Sequence, residues 1–380
     1  MLKNKIYKYF FDEILKNFIT ILLTFTAIAW VVRAVNFLDL LVVDGYTTSI
    51  YLKYAILNMT TIATRFIPLA FLLSLIISIV KFERQQELLI LWTTGLSKLK
   101  MSNILLLIAF IITIIQLILG LFINPFLLNN SRTLLNKTDE LQINSVLKSK
   151  DFSDNFKGIT FYIDKKNSND ELINIFIHDS NGSLKVLTDS LEQGRSSTVI
   201  AKKGFINQNK LILFNGVIQS INSKNEIKNI QFAKNELSLK NLSTRTIKKP
   251  KIQETSTHLL LNCIFDQSEN PNIANCSKKN YKNDVVQNLS RRSGAPLYIL
   301  LVTIIVCFLL LNKKEDKFYY LKKYIIFFIS FIILILAEIL LKYTGLSVLL
   351  GIFFFILVII ISFRLYIYLM KKILTEKVKI

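Results

Sequence analysis

Glu83-Arg84-Gln85-Gln86-Glu87-Leu88-Leu89-Ile90-Leu91-Trp92-Thr93-Thr94-Gly95-Leu96-Ser97-Lys98-Leu99-Lys100 is a mixed stretch set between two long apolar runs. Glu83 and Glu87 fall in its first turn, where carboxylates favour the positive end of a helix dipole. Leu88, Leu91 and Trp92 recur at helical spacing on one face. Gly95 supplies a helix stop, and a basic tail follows it. The pattern predicts a short amphipathic helix between two membrane spans. Two roles suit it: a surface that another protein grips, or an interfacial helix lying against lipid headgroups.

Outward from this stretch, apolar runs cover 17–35, 62–80 (with Pro68 as a kink), 101–123, 294–311, 324–341 and 347–370. Each approaches the roughly 20 residues that a bilayer core requires. Of the 380 residues, 52% are hydrophobic, and the mean hydropathy is +0.44. The first run is too long for a cleavable signal, and no small-residue cleavage site follows it. The expected fold class is a polytopic α-helical membrane protein of six transmembrane helices, three plus three, with an inserted β domain. The expected division is 1–124, 125–290 and 291–380, with the amphipathic helix over 83–100.

Charge sets the expected orientation. Lys3, Lys5, Lys8, Lys81, Arg84, Lys98, Lys100, Lys313, Lys314, Lys317, Lys322, Lys323, Lys371 and Lys372 all fall on one side of the spans. Cytoplasmic short loops carry such an excess, so both termini and the 83–100 helix are expected inside the cell, with the middle segment outside. The net charge of +21 therefore does not require nucleic acid. The chain carries no Gly-x-x-x-x-Gly-Lys-Ser/Thr phosphate loop, which argues against ATP binding by that route. Two His and three Cys without ligand spacing make a metal site or other cofactor unexpected. His178 and His258 lack an accompanying acid–base or nucleophile signature. No catalytic residue is expected.

The middle segment reads as β structure. Candidate strands cover 159–164, 172–178, 184–188, 198–202, 211–214, 217–221 and 227–232, with turn signals at Asn181-Gly182 and Asn215-Gly216. Such spacing suggests a sandwich or jelly roll. Cys263 and Cys276 fall in this outer part, where they form a disulfide or stay as two thiols; Cys307 lies in the fourth run as a packing residue. Ionisable residues inside spans are functional candidates. At ~1.5 Å per residue, Arg33, Arg65, Arg292 and Lys342 come to similar depth from four different runs. They form either a basic collar for an anionic lipid or separate side chains snorkelling to headgroups. For Glu338 and Lys342, four residues apart, a local helical pair is expected.

Several strings together resemble the LptF/LptG permease family of the lipopolysaccharide export transporter. Gln86 to Ser97 is similar to the family's coupling-helix string, and Ile67-Pro68-Leu69 to its second-span proline. Gly158-Ile159-Thr160-Phe161-Tyr162-Ile163, Ile175-Phe176-Ile177-His178-Asp179, Ile200-Ala201-Lys202 and Leu213-Phe214-Asn215-Gly216 fall in the family's order, as does Arg292 before Pro296-Leu297. Gln86 departs from the usual Ser, and Trp92-Thr93-Thr94 from the common Arg/His-Ala-Ala/Cys. Asp39 to Gly45 looks like the LptF branch rather than LptG.

The resemblance implies a periplasmic β-jellyroll and a bacterial inner-membrane location. It implies an LptB-type ATPase dimer gripping Glu83, Glu87, Leu88, Leu91 and Gly95. A second permease of LptG type, LptC and the bridge protein LptA are the other implied partners. It implies lipopolysaccharide as the cargo, with Arg33 at the family's basic position on the first span and Arg292 less directly so; Arg65 joins them as a lipid-binding candidate by its depth alone. The rival reading is a membrane-anchored β domain that senses an envelope ligand.

Overall fold

The computed structural model describes residues 2–42, 46–139, 149–156, 158–167, 171–180, 196–207, 210–221, 227–238, 250–265, 279–311 and 318–378. It divides into two compact units: 1–33, 56–130 and 249–380 form the first, and 34–55 and 131–248 the second. Residues 249–290, expected with the β segment, group with the helices.

The chain opens with α1 (Leu2–Asn36), a single turn α2 (Asp39–Val42), and α3 (Thr48–Arg84). At ~1.5 Å per residue, α3 is roughly 55 Å long. That exceeds the ~30 Å hydrocarbon core, so the helix extends past the membrane at its ends. A corner leads to α4 (Glu87–Thr93), and another to α5 (Lys98–Ile118). A π turn (Leu119–Ile123) carries α5 into α6 (Asn124–Asp139). After the sheet come α7 (Thr257–Phe265), α8 (Lys279–Gly294), α9 (Leu297–Cys307), α10 (Tyr319–Tyr343) and α11 (Val348–Val378). Five helical stretches are long and apolar enough to cross a membrane. The remaining expected span, fourth in chain order, is part of a broken pair, α8 and α9, bent by 41°. Pro296 accounts for the break, since it cannot donate to the Arg292 carbonyl and its ring opposes a continuing helix.

The helices share a core of Phe10, Ile14, Phe71, Phe82, Met101, Leu105, Ile299 and Leu369, drawn from α1, α3, α5, α9 and α11. Phe10 meets Phe82 edge-on at 4.4 Å between centroids. A second core of Tyr298, Leu301, Ala337, Leu341 and Phe354 joins α9, α10 and α11.

The second unit contains one antiparallel sheet: β1 (Phe152–Phe156), β2 (Ile159–Lys166), β3 (Glu171–Asp179), β4 (Ser196–Asn207), β5 (Lys210–Ile221) and β6 (Ile227–Ser238). Each strand lies beside its sequence neighbour, in the order β1 to β6. The protein is thus a polytopic helical membrane protein with an inserted β domain. Its described strands form a single meander, whereas a jelly roll packs two sheets.

The expected strands 211–214 and 217–221 are one strand, β5, which runs through Asn215-Gly216 without turning. Asn215 takes a left-handed φ of 50°, as Asn174 does at 53° on β3. The burial alternation slips by one residue at these points. It runs 172 then 175 and 177 on β3, 199 and 201 then 204 on β4, and 211 and 213 then 218 on β5. The ladder skips Asn174, Lys202 and Asn215 at one line across the strands, and pairing resumes in the same register beyond it. A lone one-residue slip would turn apolar side chains to the wrong face. Because the neighbouring strands slip together, Ile175, Ile177, Leu211, Leu213 and Ile218 all stay in the same core. The result is a crease across the sheet, with a groove of about 690 Å³ lined in part by Tyr162, Phe176, Ile200, Lys202, Val217 and Phe232. The expected strand 184–188 and the turn at Asn181-Gly182 lie outside the described residues.

Candidate functional site

The first candidate is the corner around α4. The helix expected over 83–100 is only seven residues long, because α3 continues through Glu83 to Arg84 and α5 starts at Lys98. Gln86 makes the turn between α3 and α4 with a left-handed φ of 61°. Gly95 ends α4 at φ +84°. Its N–H donates to the Trp92 carbonyl at 3.2 Å, and the Leu96 N–H donates to the Leu91 carbonyl at 3.0 Å. These two bonds satisfy carbonyls that a helix end leaves open, and the left-handed conformation favours glycine. Ser97 then caps α5, its side chain accepting from the Lys100 N–H.

Leu88 and Leu91 share a face, as their spacing indicates, but that face points inward. They are 6% and 8% exposed and belong to the core of α1, α3 and α5. Burial of each side chain contributes about 1.5–3 kcal/mol, so they seat the helix. The side chains turned outward are Leu89 and Ile90, at 59% and 58% exposed. Spacing groups Leu88 with Leu91 but does not tell whether their face meets the core or a partner.

The two carboxylates have different surroundings. Glu83 belongs to α3 and pairs with Lys323 of α10 at 2.5 Å, with both side chains mostly buried. Glu87, on α4, accepts a hydrogen bond from the Tyr9 hydroxyl at 3.1 Å. Nearby, Lys81 pairs with Glu13 of α1.

The second candidate is a polar cavity of about 250 Å³ at the opposite end of the bundle. Thr64, Arg65 and Pro68 of α3, Gln116 of α5, Gly120 and Asn124 near the π turn, Arg291, Arg292 and Pro296, and Glu338 of α10 line it. Pro68 has no N–H for the Thr64 carbonyl, which would be left unpaired inside the bundle. Gln116 donates its side-chain amide to that carbonyl at 3.2 Å, and Asn124 donates to the Thr64 hydroxyl at 3.0 Å. At Gly120 the backbone of Arg292 comes so close that a Cβ would sit 3.2 Å from its carbonyl oxygen. Irregular backbone at membrane depth is tolerated where it is buried in protein or lines a cavity, and here it does both.

The expected lipid-contacting cations are placed differently from one another. Arg292 is fully engaged inside the protein. It donates to Asn288 Oδ1, Thr257 Oγ1 and the carbonyls of Ile252, Gln253 and Thr255, all at 2.9–3.1 Å. It clamps 252–257 onto α8, and Thr257 passes the link to the Leu121 carbonyl in the π turn. Arg65 lines the cavity, within electrostatic reach of Arg291, Arg33 and Glu338. Arg33 is exposed near the end of α1. Glu338 pairs across helices with Arg291 at 2.8 Å rather than along its own helix with Lys342. Arg291 was not singled out from the sequence, where it reads as one of two adjacent arginines. Cys263 is buried on α7 beside Leu260 and Val285, and Cys276 lies outside the described residues. Cys307 is a buried free thiol, in keeping with a packing role. His178 shares a hydrogen bond with Thr198 Oγ1 at 2.9 Å, as a satisfied strand residue. Among the described residues no group of three His, Cys, Asp or Glu side chains could hold a metal ion.

A bundle of long apolar helices with a polar cavity beside Pro68 and Pro296, and an antiparallel sheet inserted in the middle of the chain, define a multi-pass membrane protein. Residues 8–372 match the model of the family described as lipopolysaccharide export system permease LptF/LptG, and the chain belongs to that family. It is also similar to an uncharacterized protein of Rickettsia prowazekii, RP871, with 24% identity over 173 residues. That match covers 46% of this chain and spans about half, 48%, of the relative.

Proposed function

We propose that this chain is a permease subunit of the ABC transporter that extracts lipopolysaccharide from the inner membrane. The cargo then passes to a periplasmic bridge of LptA type. The observation that carries this is the family match over 8–372, reinforced by the short helix α4 with Leu89 and Ile90 exposed between two spans. The end of the bundle with α4 faces the cytoplasm, where Lys98, Lys100, Lys322 and Lys371 meet the positive-inside rule. Lys313, Lys314 and Lys317, part of the same pattern, lie outside the described residues. An LptB-type ATPase dimer docks on α4. Leu89 and Ile90 form its apolar contact with Glu87 beside them, while Leu88, Leu91 and Gly95 hold the helix in shape. Glu83 acts from inside the bundle.

This chain works with a second permease of LptG type, itself taking the LptF part, and with LptC. ATP is hydrolysed in the partner, and the chain itself is not an enzyme. The cavity end lies at the outer leaflet. There Arg33 and Arg65 face the anionic headgroup, while Arg292 keeps the 252–257 segment in place. A Cys263–Cys276 disulfide would secure the same outer region.

Co-purification from native membranes tests the assignment. The unsubstituted chain is expected to bring down an ABC ATPase, a second permease and lipopolysaccharide. Leu89→Asp with Ile90→Asp is expected to lose the ATPase and keep the permease partner; Arg65→Glu is expected to lose lipid and keep both proteins. Recovery of no ATPase with the unsubstituted chain would bring the anchored-sensor reading forward.

A further inference from the structure

We propose that Glu83 and Lys323 are positioning residues for transport: their ion pair carries the movement of α4 to the fifth span, α10. This rests on the reading of α4 as the docking helix for the ATPase.

Glu83 is the next-to-last residue of α3, three residues before the left-handed corner at Gln86 that starts α4. Lys323 lies one turn into α10. Its ammonium stands 2.5 Å from Glu83 Oε2, with the two side chains 16% and 13% exposed. Tyr319, at the start of α10, holds the same ammonium in two ways. Its hydroxyl accepts from Lys323 Nζ at 2.6 Å, and its ring centroid lies 4.0 Å away. The first turn of α10 is therefore fastened to the end of α3 by a desolvated charge.

The surrounding packing makes this tie informative. α10 packs on α8 and α9. Apolar surfaces can slide by small amounts, whereas a charge pair in a low-dielectric site weakens steeply with separation. Removing one partner strands the other charge in the interior. A buried ion pair is weak evidence for stability, because an apolar pair of similar volume often serves as well; specified geometry is its better-attested use. Here the geometry specified is that α10 follows the corner from which α4 hangs. The corner is also tied to α1, through Lys81 with Glu13 and Tyr9 with Glu87. α4 itself is seated by the apolar Leu88 and Leu91.

The test uses the whole transporter reconstituted with its ATPase and partner permease in vesicles containing lipopolysaccharide, reading lipid released per ATP hydrolysed. Lys323→Met is expected to keep ATPase binding and basal hydrolysis while release per ATP falls about tenfold, and Glu83→Gln is expected to lower release per ATP hydrolysed by a similar factor. The swapped pair, Glu83→Lys with Lys323→Glu, is expected to recover most of that loss. Single variants with unchanged release per ATP would overturn the proposal. So would a swap that assembles but performs no better than the singles. Where a single variant does not assemble, the swap decides alone: release near that of the unsubstituted chain supports the link, and a tenfold loss refutes it. If the unsubstituted chain binds no ATPase, the reading of α4 has failed, and this is seen before any substitution is made.

Discussion

Both units of the molecule contain breaks in regular structure, and they repair them by different means. In the helical unit, Pro68 leaves the Thr64 carbonyl open, and a side chain from another helix, Gln116, closes it. In the sheet, the crease is made within the strands, by Asn174 and Asn215 in left-handed conformation and by Gly216 where no Cβ fits. The difference follows from how each structure bonds its backbone. A helix satisfies itself internally, so a missing donor must be replaced from outside. A strand bonds to its neighbours, so a local change is tolerated when every neighbour makes it at the same line. Each break also opens a space, about 250 Å³ among the helices and about 690 Å³ on the sheet.

The largest expected effect comes from filling the crease. A Cβ at Gly216 would collide with the Ile200 carbonyl oxygen and the Phe232 ring. Backbone cannot step aside as a flexible side chain can, so Gly216→Val is expected to destabilise the sheet by about 3 kcal/mol. Hydrogen exchange on the full chain in detergent would show β4, β5 and β6 losing protection while the helical spans keep theirs. Loss spread evenly over both units would contradict a break confined to the sheet.

The helical break makes a smaller prediction with a sharper control. Gln116→Leu strands the Thr64 carbonyl, at a cost of about 1–3 kcal/mol. Pro68→Ala restores an N–H four residues along, so in that background the same Gln116→Leu substitution is expected to cost far less. Thermal unfolding of the four variants measures the coupling. Equal penalties in both backgrounds would mean that Gln116 does not stand in for the missing donor. In the sheet the matching comparison is Asn215→Ala, expected to cost about 1–2 kcal/mol at a left-handed position, against a near-neutral Asn215→Gly. Proteolytic susceptibility of β5 would separate the two.

These breaks are also where the sequence was hardest to read. The spans were legible because about 20 apolar residues in a row admit few alternatives, and Gly95 was legible because a helix stop is a local event. Asn215-Gly216 carries a strong hairpin signal in isolation, but whether it turns the chain depends on β4 and β6 creasing at the same line. Leu88, Leu89, Ile90 and Leu91 gave a helix but not its orientation, which the packing of α1, α3 and α5 decides. The partners of Glu83 and Glu338 lie 240 residues further along the chain and 47 residues back along it. No spacing rule reaches those distances, and the local rule pointed Glu338 to Lys342 instead.

The smallest effect distinguishes the units by pH. At the sheet surface, Lys203 lies 3.0 Å from Glu171, and Lys234 and Lys210 lie 3.1 and 3.3 Å from Glu236. Hydrogen bonds from these ammonium groups, then their charge, hold both carboxyls below the usual carboxylate range. A carboxyl whose folded pKa is depressed contributes its stability above the unfolded value and loses it as pH falls through the folded one. The sheet is therefore expected to weaken slightly on acidification below the ordinary carboxylate pKa. Glu171→Gln with Glu236→Gln should flatten that dependence. Both carboxyls lie at the surface and reach solvent, so the effect should shrink further in high salt, where surface charges are screened. Hydrogen exchange of β3 and β6 at descending pH, with and without the two substitutions, measures it. A dependence that survives both substitutions, or that resists salt, would place the acid-sensitive groups elsewhere in the chain.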